Sequence, residues 1–298
     1  MIRFDTYKGR NALIVESDRL SMTVLPQDGG KIASLVSRLD GKELLLVKEG
    51  EDYRPLSYGG SYVDAECSAF DDMFPTIDPY TPTVGQYRGV TYPDHGEVCR
   101  IPYDASVKEN KVILNAHSRL FAVRYQKTVG VSSDGGIEIA YEIVNEGEEP
   151  FPCLWAGHVM LQGEDGMRLE TSFGADAPRE MIFCTEGYDE KSLPTDRLTG
   201  FLPGQGAAYK FYYTEPIKAD GFSVLYPNGR RLSVSYDRNT VPYLGVWLNN
   251  GEFQDIYNIA PEPCTAPFDA PDRAERRGYT ASIPPKGVLS IKLCMDIQ

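Results

Sequence analysis

A strict alternation of apolar and polar residues runs through several short stretches of the chain, and it limits what the chain can become. In Gly136–Asn145, Ile137, Ile139, Tyr141 and Ile143 fall on one side of an extended backbone, while Glu138, Ala140 and Glu142 fall on the other. Period two marks a strand with one buried face. Val112–His117, Leu232–Tyr236 and Val288–Leu293 repeat the pattern. Turn signals separate the runs: Asp28-Gly29-Gly30, Asp40-Gly41, Asp134-Gly135-Gly136, Asn228-Gly229 and Asn250-Gly251. No segment carries a long stripe at helical spacing, so any helices are predicted to be short. The 28 Gly, 21 Pro and 19 Tyr suit many strands joined by turns. The chain is predicted to be all-β.

With 298 residues, 42% of them hydrophobic, it can bury a large core. All-β sandwiches and barrels reach this size as one unit. There is no internal repeat, low-complexity tract or clean linker, so residues 1–298 are read as a single domain. The formal net charge of -13 argues against nucleic acid or an anionic membrane as partner, since phosphate would be repelled. Cys67, Cys99, Cys153, Cys184, Cys264 and Cys294 form no CxxC pair and read as scattered reduced thiols. The segment Met1–Tyr7 has no basic stretch leading into an apolar run. Nor does any apolar stretch approach the roughly 18 residues of a membrane span. A soluble, cytoplasmic protein is expected, with a homodimer left open.

Histidine is the scarcest chemical resource here, with only three in the chain. Imidazole is the side chain suited to moving a proton near neutral pH, with a carboxylate as its counterpart. His95 lies in Tyr92-Pro93-Asp94-His95-Gly96-Glu97, at the end of a polar, Tyr-rich excursion from Gly50 to Asp94. His158 ends Trp155-Ala156-Gly157-His158, where an apolar run gives way to glycine. His117 sits in a plain alternating strand and reads as a bystander. Glu262 lies between Pro261 and Pro263, which would stiffen a loop around one carboxylate. The stretch from Glu262 to Gly278 also reads as loop. Trp247 is either a core residue or a platform for a sugar face. His95, His158 and Glu262 thus form a candidate acid/base site, and two histidines with one carboxylate are also a recognised metal-ligand set.

Taken in order, the motifs resemble the aldose 1-epimerases, the galactose mutarotase-like proteins, in a divergent branch. The likeness begins with Leu25-Pro26-Gln27-Asp28-Gly29-Gly30-Lys31-Ile32-Ala33-Ser34-Leu35 and Gly41-Lys42-Glu43-Leu44-Leu45. It continues through Asp72-Met73-Phe74-Pro75, His95-Gly96, Gly157-His158, Tyr243-Leu244-Gly245-Val246-Trp247 and Glu262-Pro263, so it spans nearly the whole chain. The resemblance implies a β-supersandwich of two large antiparallel sheets. It implies an isomerase that opens and recloses a sugar ring without a cofactor. His158 would be the general acid, Glu262 the general base, and His95 a substrate-binding residue. The Asn-Arg motif of galactose-type members has no match upstream of His95. Asp72, Arg88 and Arg100 are the residues available in its place, and Asp237 lies near the position of the family's sugar-binding aspartate. Asp72, Arg100 and Trp247 are therefore carried with His95 as candidate substrate contacts. The Phe-Pro and His-Gly-Glu pattern is closer to a hexose-phosphate branch, yet the arginine cluster that a phosphate wants is not evident. A small-molecule sugar is the expected partner, with a non-catalytic sugar-binding protein as the second reading and a metal enzyme as the third.

Overall fold

The computed structural model describes residues 1–174, 176–186 and 206–298. Two large sheets account for most of the strands, and every pairing between their strands is antiparallel. One sheet runs Ile2–Tyr7, Arg10–Glu16, Leu20–Leu25, Lys31–Ser37, Phe70–Met73, Ala156–Val159, Tyr257–Cys264, Tyr243–Asn250, Ala207–Tyr213, Arg179–Cys184, with Leu161–Gln162 also paired to Tyr257–Cys264. The other runs Arg168–Glu170, Phe222–Leu225, Arg231–Tyr236, Val288–Ile297, Ile137–Asn145, Val123–Val131, Lys111–His117, Asp104–Lys108. The only described helices are a single turn at Val98–Arg100 and the five residues Pro271–Glu275.

Alternation decides which face each strand buries. Ile137, Ile139, Tyr141 and Ile143 all point into the core, as their period requires. They share one apolar cluster with Phe70 and Val159 of the other sheet and with Trp155 beside it. One ion pair crosses this core: Lys127 Nζ lies 2.9 Å from Asp72 Oδ2, and both side chains are fully buried. No disulfide joins any of the six cysteines. No described helix is long and apolar enough to cross a membrane.

Two strands depart from the sequence expectation. Phe70–Met73 lies inside the polar excursion, and Tyr257–Cys264 includes the Pro-Glu-Pro that reads as loop. Both are central and buried on both faces, so neither shows the apolar-polar contrast by which a strand is recognised. Proline lacks the donor that a central strand needs. Here the ladder between Tyr257–Cys264 and its neighbours on the His158 side is registered at Ala156↔Cys264 and resumes only at Leu161↔Ile259. Pro261 and Pro263 fall in that gap.

Candidate active site

The strand register builds the site as a row. Tyr212 pairs with Gly245, and Gly245 with Glu262. Counting on from Ala156↔Cys264 sets His158 beside Glu262, and His158 pairs in turn with Asp71. Residues directly paired across a sheet share a face. Tyr212, Glu262, His158 and Asp71 therefore stand side by side, on the face turned away from the sheet-to-sheet core. Gly245 is the one member without a side chain. A Cβ there would meet the Tyr212 ring at 2.6 Å, so glycine leaves the room that Tyr212 occupies.

At the centre, His158 Nε2 lies 3.5 Å from Glu262 Oε1. Both side chains are buried, and His158 Nδ1 and Glu262 Oε1 have no hydrogen-bond partner. Lys210, from the strand Ala207–Tyr213, places Nζ 2.7 Å from Glu262 Oε2 and 2.8 Å from Asp269 Oδ1. Asp269 also accepts a hydrogen bond of 2.5 Å from the Tyr212 hydroxyl. One cation is thus shared by two acids, and Asp269 is the better served of them.

The electrostatics follow from that sharing. Burial pushes the Glu262 carboxyl above its ordinary range, and Lys210 only partly offsets it. For Lys210, burial acts to lower the pKa, but Asp269 and Glu262 together outweigh it and hold the ammonium charged. Burial, then His95 and Lys210, push His158 well below the usual imidazole value, so this ring is neutral at pH 7. A neutral imidazole beside a carboxylate of raised pKa is an arrangement suited to proton transfer.

His95 comes from the opposite wall. It adopts a left-handed backbone (φ 58°), and its main-chain amide donates to Ile77 O at 2.5 Å. Gly96 behind it has φ 77°, and a Cβ there would lie 2.4 Å from Phe74 O, so glycine is sterically required after His95. The His95 ring stacks on Tyr62 at 4.0 Å, and its centroid is 5.9 Å from that of His158. Its Nδ1 is 3.0 Å from the Asp94 carboxylate. Tyr62 is itself held by a 2.9 Å hydrogen bond from its hydroxyl to Asp71, which also binds Lys31.

His95, His158, Glu262 and Trp247 all line one cavity of about 590 Å³. Trp247 is half-buried in its wall rather than in the core. Asp72 and Arg100 do not line it. Asp72 sits one residue off the row, and because successive residues of a strand face opposite ways it points into the core at Lys127. Arg100 is buried and donates to the main-chain oxygens of Gly60, Asp94 and Gly96, which ties down the loops that carry His95. Arg88 is exposed, and Asp237 follows a strand of the other sheet. His117 is exposed at the end of a strand in that sheet as well. Among the described residues, no group of three His, Cys, Asp or Glu is placed to hold a metal ion.

Lys210, Asp269, Tyr62 and Asn258 also line the cavity, and sequence reasoning passes over them. The one available signal is the run Tyr209-Lys210-Phe211-Tyr212-Tyr213, in which a lysine shares a face with a tyrosine. Asn258 is fully buried with neither amide atom partnered.

No protein-family model and no curated protein sequence matches the chain. Solved structures do. A Synechocystis protein superposes with a TM-score of 0.70 at 15% identity, over 97% of this chain and 96% of that one. A galactose mutarotase-like protein from Clostridium acetobutylicum gives 0.66 at 14%, over 100% and 98%. Galactose 1-epimerase from Lactobacillus acidophilus gives 0.62 at 12%, over 100% and 98%. The likeness runs from end to end and agrees with the order of motifs in the sequence: the chain has the galactose mutarotase-like fold.

Proposed function

We propose that the protein is an aldose 1-epimerase, interconverting the α and β anomers of a sugar by opening and reclosing its ring. The observation that carries this reading is the 3.5 Å between His158 Nε2 and Glu262 Oε1. In a cyclic aldose, the anomeric hydroxyl and the ring oxygen are bonded to the same carbon. A base for the first and a donor for the second can therefore stand side by side. Paired carboxylates of glycosidases stand further apart, at about 5 Å or more, because they act on opposite sides of a bond.

Ionised Glu262 takes the proton of the anomeric hydroxyl while His158 donates to the ring oxygen. The C1–O bond breaks, leaving an aldehyde and a free hydroxyl. Rotation about C1–C2 presents the other face of the aldehyde. The same two groups then return the protons in the reverse sense as the ring closes. His158 acts from its neutral form, as an imidazole N–H can where the charged form is suppressed. Lys210 keeps Glu262 ionised and aimed, and His95 on its Tyr62 support orients the sugar.

Polarimetry of freshly dissolved α-glucose and α-galactose is the test. The protein should speed the approach to anomeric equilibrium beyond the buffer rate. Sugar binding without any such acceleration would favour the sugar-binding reading instead.

The pH profile should carry the signature of the pair. Glu262 works ionised, and burial raises its pKa, so the rate should fall on the acid side with a midpoint above 4.5. Because His158 is already neutral, the acid limb should be a single step. A midpoint at or below 4.5, or two separate steps on the acid side, would contradict these protonation states.

A further inference from the structure

Beside the catalytic row the same sheet face carries a second row. Phe183 pairs with Lys210, Lys210 with Trp247, and Trp247 with Ala260. It lies two residues along the strands from Tyr212, Gly245 and Glu262, a displacement of about 7 Å. The register shift between Met181 and Phe183 is a β-bulge, and it lets the consecutive residues Ile182 and Phe183 both face the cavity. Phe253, from the turn after Tyr243–Asn250, joins them. The rings of Phe183, Trp247 and Phe253 lie 5.7 to 5.9 Å apart, centroid to centroid.

Phe183 is 40% exposed and Phe253 44%, an uncommon state for two clustered phenylalanines. Aromatic faces are the usual platform for the apolar face of a sugar ring. A third row, two residues further on, brings Asn258, whose buried amide has no partner. The cavity is thus graded: an acid/base row, an aromatic row, then an amide. At about 590 Å³ it is also far larger than a single pyranose ring needs.

Its charge disfavours one class of substrate. Among the described residues, Asp64, Asp78, Glu262 and Asp269 line it against Lys210 and Arg273. Lys210 is already bound by two carboxylates, and Arg273 is paired with Asp78 at 2.5 Å. Each cation already has a carboxylate partner, so the described lining offers no unpaired arginine cluster for a phosphate.

Resting on the mutarotase reading above, we propose that this site takes the reducing end of an uncharged oligosaccharide. The anomeric ring lies at Glu262 and His158, and the next ring stacks on Phe183, Trp247 and Phe253, with Asn258 hydrogen-bonding its hydroxyls. Sugar phosphates are disfavoured by the surplus of carboxylates.

The chain supplies its own probe, since it has two tryptophans and Trp155 is sealed in the core. Emission changes on titration report on Trp247. Glucose, galactose, their 6-phosphates, and the reducing disaccharides cellobiose, maltose and lactose should be titrated in parallel with polarimetric rates. At least one disaccharide should bind about tenfold more tightly than its own reducing-end hexose, with both 6-phosphates weaker than the hexoses. Phe253→Ala and Phe183→Ala, at exposed positions, should each bring the disaccharide-to-hexose affinity ratio down towards one. If hexoses bind and are turned over but no disaccharide binds more tightly, the second-ring site is wrong and the mutarotase reading stands. A 6-phosphate that binds more tightly than every disaccharide overturns the second-ring site in the same way. Failure of every sugar to bind or turn over overturns both.

Discussion

Glu262→Gln is expected to lower the mutarotation rate of a bound hexose by about 10³-fold, within the range that one general acid or base supplies. Glutamine keeps the shape of the side chain and removes its basicity. Lys210 retains Asp269 at 2.8 Å, so the substitution leaves no buried charge without a partner, and the thermal midpoint should hardly move. His158→Ala should cost a similar factor by removing the donor to the ring oxygen. In the proposed mechanism the two groups act as a unit, so the double variant should be little slower than either single one. His117→Ala, on the far sheet, is the control and should keep the full rate. Subtracting the buffer rate in polarimetry gives the comparison directly. Wild-type rates in both Glu262→Gln and His158→Ala would sink the acid/base assignment, whatever sugar is used.

The fold is legible where one face of a strand meets core and the other meets water. Val112–His117 and Ile137–Asn145 show that contrast, and both are strands where the pattern places them. Phe70–Met73 and Tyr257–Cys264 hide theirs, since their outer faces meet the cavity wall and carry Asp71 and Glu262 instead of surface residues. The same inversion explains which site residues escape a reading of the sequence. His158, His95 and Glu262 stand out as rare residue types in punctuated motifs. Lys210 looks like any outward-pointing strand lysine until the register shows that its outward side is the cavity. For adjacent residues such as Asp71 and Asp72, only the pairing decides which one faces the row of His158. Arg100 offers no local clue that its guanidinium is spent on main-chain carbonyls.

Lys210→Met should be the most destabilising single change at the site, by about 3–5 kcal/mol at neutral pH, with a fall in thermal midpoint of roughly 5–8 °C. Methionine fills much the same volume, so the loss measures charge. It leaves Glu262 and Asp269 buried beside each other, with the Tyr212 hydroxyl and the His158 imidazole as close neighbours and His95 across the cavity. Two like charges in a buried site raise each other's pKa, and the folded chain then binds protons more tightly than the unfolded one. A group with a raised folded pKa contributes stability that is present below its unfolded value and is lost as pH rises through the folded value. The gap between Lys210→Met and the parent should therefore be small near pH 4 and widen steadily towards pH 8. Thermal melts across that range measure it. Adding Glu262→Gln and Asp269→Asn should restore most of the loss and flatten its pH dependence, because no uncompensated charge remains. A gap that stays constant with pH, or a triple variant no more stable than Lys210→Met alone, would mean that Lys210 acts by packing and not as the shared counter-ion of the two carboxylates.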